Sequence, residues 1–390
     1  MFHRLSLLFP VTLLLATAFV SLLGQEKPAD DSEFLIGSSL PLSGPFSAVG
    51  QETKEGMEIA FRVVNEQGGI AGRHIRLVTH SDGYDPLLCV QNTLQLVNVD
   101  NVFALCSYVG TPTSLKAQPV WQGAKVPVVG FYTGAKALRD PFNRYNVHIR
   151  ASYDQEVSAA VNAFSAHLGA KRFAILYQDD SFGNAVKMAS EKALAAKSLT
   201  PVAYGNFIRG TLNVEEAVGQ IVASHPDVVL LSGTYAPLAK AIQLAKQKGL
   251  SKTIFHTVSF VGPEALAGEF GRDVDHVVIT EVVPLYTDTR QPIVAAYLAA
   301  LRREKPSFPS LEGYLNARVV IEGLKRASEA QKFPNREDFI NALETIGDNQ
   351  IEPGLPIAYG PKDHEGLDQV YFISLANGRW NEVTDWTALK

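Results

Sequence analysis

The sequence predicts an α/β protein built as two doubly wound parallel-sheet lobes. Three observations carry that expectation. One complete β-loop-α-β unit opens the chain over residues 34–86, the same alternation continues to about residue 135, and it restarts near residues 150–153 and repeats as far as 281. With 390 residues, of which 46% are apolar and 19% charged, the chain is long enough for two domains of roughly 100–200 residues each.

In the opening unit, residues 34–39 read as a buried strand and 40–50 as a loop of Pro, Ser and Gly. From Gln51 onward Met57, Ala60, Phe61 and Val64 fall at i, i+3, i+4 and i+7 on one helix face, and Gly68-Gly69 ends that helix. Residues 75–79 form a second strand. Strands joined through a helix run parallel with a right-handed crossover. Ligands of such sheets bind beyond the carboxyl ends of the strands, which points to the loop 41–47 and the turn Asp82-Gly83-Tyr84.

The alternation then gives helix 87–97 (apolar stripe Leu87, Val90, Leu94, Val97), strand 102–106, loop 107–113, helix 114–122, strand 126–130 and loop 131–135. One parallel sheet with helices on both faces accommodates these elements. After residues 150–153 come helix 155–168, strand 172–177, loop 178–183, helix 184–196, strand 201–205, helix 214–223, strand 227–232, helix 236–248 and strands 253–257 and 277–281. This is a second sheet of the same kind, and Val283-Pro284-Leu285 reads as a return crossing. Helices 292–304, 313–328 and 336–345 follow, then a Pro/Gly-rich run at 352–356. Strand 369–375 and a turn at Asn377-Gly378 before Arg379-Trp380 suggest a final hairpin.

The first residues place Arg4 ahead of an apolar run from Leu5 to Leu23, the layout of a secretory signal peptide ending near Gly24. A single membrane anchor is the competing reading, weakened by Pro10 and the short basic flank. No later apolar run approaches the ~20 residues of a membrane span. Cys89 and Cys106, the two cysteines, would both enter an oxidising compartment on export, which favours pairing over two free thiols. Two buried, unpaired cysteines remain the alternative. Neither their number nor their spacing suggests a metal site.

Four loops at strand ends face one expected cleft: 42–47, 110–114, 132–135 and 178–183. The second and third are rich in hydroxyls and backbone N–H groups at helix starts, which suits a carboxylate. Each is also an ordinary helix-cap signature, so their convergence at one sheet edge is what gives them weight.

These stretches carry a resemblance. Pro-Leu-Ser-Gly-Pro after the first strand, the helix end Asn65-Glu66-Gln67-Gly68-Gly69-Ile70-Ala71-Gly72-Arg73, and Ser81-Asp82-Gly83-Tyr84-Asp85-Pro86 resemble the start of leucine/isoleucine/valine-binding periplasmic receptors. The likeness covers nearly the whole chain after the leader. It implies the type I periplasmic-binding-protein fold, with a three-strand hinge crossing near Ala151, Pro284 and Ile357. The expected layout is a signal peptide at 1–24, a first lobe at 34–151 and 285–356, and a second lobe at 152–284 and 357–390.

The resemblance also implies the binding residues. Thr111 matches the hydroxyl that binds an α-carboxylate, and Thr133 and Gly134 match the loop after the fourth strand. Phe182 falls where the family has a Tyr that closes over the ligand, and Tyr235 at another aromatic contact. Ser43, Thr113, Tyr153 and Tyr314 are further candidates. The relatives' ammonium partner, an acidic residue, is replaced by Thr257-Val258-Ser259-Phe260 here, with Glu281 and Glu312 as possible substitutes. An unpaired ammonium in a closed cleft would cost several kcal/mol. The family's disulfide joins the ends of the second and third strands. Cys106 matches its second member, whereas its first would fall near Tyr84 instead of at Cys89.

Enzyme readings find little support. The chain has no GxSxG elbow, P-loop or HExxH, and Gly68-Gly69-Ile70-Ala71-Gly72 follows a helix instead of opening one. The nine His are scattered, and a formal net charge of −5 together with export disfavours nucleic acid. The expectation is a monomeric periplasmic receptor that delivers a small carboxylate or amino acid to an ABC permease, without cofactor or metal. The alternatives are a ligand sensor of the same fold and a secreted hydrolase.

Overall fold

The computed structural model describes residues 33–271, 275–348, 350–376 and 378–389. The expected signal peptide and Asn377 of the expected turn lie outside the described residues. The first sheet takes β1 (Glu33–Leu40), β2 (His74–Ser81), β3 (Ala104–Val109), β4 (Val128–Tyr132) and β5 (Asn146–Val147) in the order β2-β1-β3-β4-β5, all parallel. Helices α1 (Ser47–Glu66), α2 (Pro86–Asn98) and α3 (Thr111–Gly123) connect its first four strands.

The second sheet begins after α4 (Tyr153–Ala163). It comprises β6 (Phe173–Asp179), β7 (Ala203–Ile208), β8 (Val228–Ser232), β9 (Ile254–Val258) and β10 (Val277–Glu281), with α5 (Ser181–Ala195), α6 (Glu215–Ala223), α7 (Tyr235–Gln247) and α8 (Pro263–Phe270) between them. The chain then forms α9 (Pro292–Ala300), α10 (Phe308–Ala330) and α11 (Arg336–Leu343). It ends in the hairpin β11 (Tyr371–Ala376) and β12 (Arg379–Glu382), which adds to β10 antiparallel and gives the order β12-β11-β10-β9-β8-β6-β7.

The strands have both faces covered, so they read as nearly unbroken apolar runs. All five residues of Val228–Ser232 and of Val277–Glu281 are buried. Each buried Val, Leu, Ile or Phe side chain contributes roughly 1.5–3 kcal/mol. Local chemistry fixes the helix starts: Asp85 accepts from Leu87 N and Leu88 N, Asp180 from Phe182 N and Gly183 N, and Ser152 with Gln155 makes a capping box. Helix α10 returns to the first lobe because it crosses α1 at two glycines. A Cβ on Gly56 would lie 1.9 Å from Ser310 O, and one on Gly313 would lie 2.2 Å from Thr53 O. Only glycine permits that approach.

Several elements reach further toward the cleft than composition suggests. β3 runs on to Val109 and β4 to Tyr132, while α1, α3 and α5 begin at Ser47, Thr111 and Ser181. Clusters of Gly, Ser and Thr read as loops, yet here they are buried strand ends and first helical turns. β5, two residues long, and α8, opened by Pro263, are additional.

The cysteine pairing is corrected: both thiols are free and buried. Successive strand residues point to opposite faces. Cys106 on β3 shares with Ala104 the core of α1 and α10, whereas Cys89 on α2 lies with Leu105 in the cluster on the other side of the strand; Ser107, at φ +55°, then interrupts the alternation, so that Tyr108 joins the second cluster and Val109 the first. The sheet separates them. Burial pushes the thiols up, Cys106 to about 12 and Cys89 further, so neither is a ready nucleophile.

Candidate functional site

The carboxyl ends of both sheets meet in one cleft. On the first-lobe wall, the Thr111 and Thr133 hydroxyls lie 2.7 Å apart, both buried, one in the first turn of α3 and one just after β4. The N-cap of α3 is Gly110, at φ +98°, and no side chain makes a cap hydrogen bond to that helix start. Its position next to Tyr84 demands glycine, since a Cβ would meet the Tyr84 ring at 2.3 Å. Gly134 lies beside Thr133, and its carbonyl accepts from Tyr153 N at 2.9 Å.

Three other candidates are placed elsewhere or already engaged. Thr113 Oγ1 donates to its own turn, to Gly110 O at 2.9 Å and to Val109 O. Ser43 is exposed on the rim, its hydroxyl 3.0 Å from that of Ser81. Tyr314 sits on α10 against Tyr297 at 5.5 Å and Arg318, inside the first lobe and away from the ring cluster of the cleft.

The second-lobe wall is aromatic. Phe182 is fully buried and packs on Phe260 at 4.3 Å and on Tyr153 at 5.5 Å. Rings from the first lobe meet them: Phe46 stacks on Phe260 at 4.9 Å and on Tyr235 at 5.7 Å, and Tyr132 and Tyr84 each approach Phe260 at 5.9 Å. Such offset and tilted pairs add about 0.5–1.5 kcal/mol each beyond burial. Tyr132 Oη donates to Ser259 O at 3.4 Å, a further link between the walls.

Behind the rings lies a bed of buried carboxyls. Glu156 on α4 accepts from Ser259 N at 2.8 Å, from Ser259 Oγ at 3.1 Å and from Thr280 Oγ1 at 2.9 Å, so Ser259 is held by the protein itself. Burial raises Glu156 to about 7 against the pull of Arg150 and these donors. Burial and the negative charge of Glu52 raise Glu264 to about 8. Burial, then Glu156 and Glu264, holds Glu281 well above the carboxylate range, and its Oε1 has no hydrogen-bond partner. Glu312, the other ammonium candidate, is occupied: Arg150 Nε and Nη2 bind it at 2.8 and 2.6 Å, both residues being buried.

Sequence reasoning passed over Phe46, Tyr132, Phe260, Glu156 and Arg209 as candidate site residues. A large apolar residue inside a Gly/Pro loop, as in Gly44-Pro45-Phe46, was the available signal. Glu156 and Arg209 had none, because their partners lie 103 and 125 positions away. Among the described residues, no group of three His, Cys, Asp or Glu is placed to hold a metal ion, and no helix is long and apolar enough to cross a membrane.

Residues 33–379 match the family profile described as Periplasmic binding protein. The chain is 25% identical to a Leu/Ile/Val-binding protein homolog 7 of Brucella suis, covering 80% of this chain and 82% of that one. Its fold matches a possible leucine/isoleucine/valine-binding protein from Rhodopirellula baltica at a TM-score of 0.86 and 30% identity, over 93% of this chain and 99% of that one. At 18% identity, the isoleucine complex of LivJ from Streptococcus pneumoniae shares the fold with a TM-score of 0.77, over 89% and 97%. Two doubly wound lobes, a cleft at their strand ends and these likenesses agree, and the chain belongs to the type I periplasmic binding proteins of the leucine/isoleucine/valine-binding family, which bind substrates and are not enzymes.

Proposed function

We propose that this protein is the periplasmic substrate-binding component of an ABC importer and that it closes on a small carboxylate with an aliphatic or aromatic body. The observation that carries the reading is the paired hydroxyls of Thr111 and Thr133 beside the uncapped start of α3, facing a wall of aromatic rings. Free N–H groups and the partial positive charge of a helix start favour an anion, and hydroxyls complete its hydrogen bonds. Phe182, Phe260, Tyr153 and Tyr235 then cover an apolar body. The lobes move about crossings near residues 151, 284 and 357, and closure is stabilised by contacts that both lobes make to one ligand. The partner is a permease in the inner membrane, reached by a monomeric receptor exported through residues 1–24.

Ammonium recognition is altered. Ser259 is bound by Glu156 and Glu312 by Arg150, and burial with its acidic neighbours raises the Glu281 carboxyl well above the ordinary carboxylate range. A carboxyl that holds its proton more tightly is a poorer partner for an ammonium. Isothermal calorimetry against leucine, its 2-keto analogue and benzoate tests this. The keto acid or benzoate should bind more tightly than leucine. Tight leucine binding that is abolished by Glu281→Gln would overturn the ammonium inference.

A further inference from the structure

We propose that Arg209 is a positioning residue for closure: gripped by Asp180 of its own lobe, it holds Tyr84 of the opposite lobe and so sets how long a ligand stays. Its guanidinium carbon lies 4.2 Å from the centroid of the Tyr84 ring, and its Nη2 donates to the Tyr84 carbonyl. Arg209 Nε is 3.3 Å from Asp180 Oδ2. One planar cation thus spans the cleft mouth from the end of β7 to the turn after β2. A cation seated on an aromatic face and bonded at its edge uses the flat fork that lysine lacks.

Tyr84 is prepared for this contact. Its backbone is left-handed, at φ +66°, a conformation that non-glycine residues rarely adopt. The buried Asp82 holds it there, accepting from Tyr84 N at 2.8 Å and from Ser39 Oγ at 2.7 Å. Strained residues persist where the surroundings over-determine them, and they cluster at ligand clamps. The Tyr84 ring packs on Phe46 at 5.2 Å, faces Phe260 at 5.9 Å and lies over Gly110 at the start of α3. What Arg209 holds is therefore the roof of the proposed carboxylate cradle, although Arg209 itself contacts neither Thr111 nor Thr133. Asp180 fixes the other end, since its Oδ1 caps α5 while its Oδ2 takes Gln178 Nε2 at 2.6 Å and Arg209.

The clasp rests on the two-lobed binding function but not on which ligand is bound. A competent state populated at fraction f weakens apparent affinity by 1/f, so lowering the closed fraction tenfold weakens binding about tenfold. The loss should appear in the off-rate, as for most interface changes.

The test places spin labels at Val99→Cys and Met188→Cys, exposed positions at the end of α2 and on α5, one in each lobe. Inter-label distances are then measured without ligand in the parent, Arg209→Ala, Arg209→Lys and Asp180→Asn. Asp180→Asn keeps a capping oxygen for α5 but loses the charge, so it separates the clasp from the fold of that turn. Arg209→Ala should lengthen the distance distribution, with Lys and Asn variants intermediate, and should raise the off-rate of whichever acid binds in calorimetry about tenfold. Unchanged distance distributions in Arg209→Ala and Asp180→Asn, with off-rates within twofold of the parent, would overturn the proposal. Failure of every carboxylate to bind, with the predicted lengthening observed, would overturn the ligand reading and leave the clasp standing.

Discussion

The two walls of the cleft are made of different materials. The first-lobe wall is a helix start with two hydroxyls, Thr111 and Thr133, whose 2.7 Å contact is mostly with each other. The second-lobe wall is Phe182, Phe260 and Tyr153, backed by Glu156 and Glu281. The two hydroxyls are buried side chains at strand and helix ends, whereas Phe182, Phe260 and Tyr153 belong to the apolar core. The hydroxyl pair lies on the first lobe alone, while the rings come from both, Phe46, Tyr84 and Tyr132 of the first meeting Phe182 and Phe260 of the second.

The largest expected effect lies in the frame between the walls. Glu312→Ala leaves Arg150 buried and unpaired, and breaking such a pair costs about 3–5 kcal/mol. Urea unfolding should show that loss, and an unchanged midpoint would remove the pair from the account. Next come the walls themselves. Phe182→Ala should lower stability by about 3–5 kcal/mol and weaken binding too. Thr133→Val leaves the buried Thr111 hydroxyl without its partner and should lower stability by about 1–3 kcal/mol, less than Phe182→Ala, while costing about 1.5–3 kcal/mol of binding to a charged ligand, or roughly 10–100-fold in Kd. Equal stability losses in the two variants would erase the division between walls.

The acidic bed predicts a pH dependence of definite sign. Glu156 and Glu264 are raised to about 7 and about 8 from an ordinary 4.5, and Asp82 to about 6 from 3.8. The folded protein therefore holds protons that the unfolded chain releases. The stability from these groups is complete below about pH 4 and is lost as pH rises through 6 to 8, at up to about 1.4 kcal/mol per pH unit for each group while it titrates. Unfolding at pH 5.5 and 8 should show the protein weaker at pH 8; a stability rising over that range would contradict the burial of these carboxyls. The smallest effect expected is none. Dithiothreitol should not move the melting temperature, and denatured, non-reduced protein should titrate two thiols, because Cys89 and Cys106 lie on opposite sides of β3.

The fold was legible because each β-α unit announces itself locally: a run such as Val228–Ser232, a cap such as Asp85, a stripe such as Met57, Ala60, Phe61 and Val64. Short-range pattern also located the loops after β3 and β4, while the choice of Thr111 and Thr133 within them came from the resemblance to the family. The rest depends on contacts between distant positions. Ser259 looked free until Glu156 was seen to occupy it, Thr113 until its hydroxyl closed its own turn, and Tyr314 until α10 was laid along α1. Arg209 meets Tyr84 only when the lobes face each other. The cysteines show the limit of spacing: helix and strand are neighbours, but the faces they present are not.

The most direct test of the central claim is to release and identify by mass spectrometry the small molecule that co-purifies with the protein from its periplasm. The account predicts an acid with an aliphatic or aromatic body, lost from Thr133→Val. A neutral sugar or a cation lacking any carboxylate, retained by that variant, would contradict it.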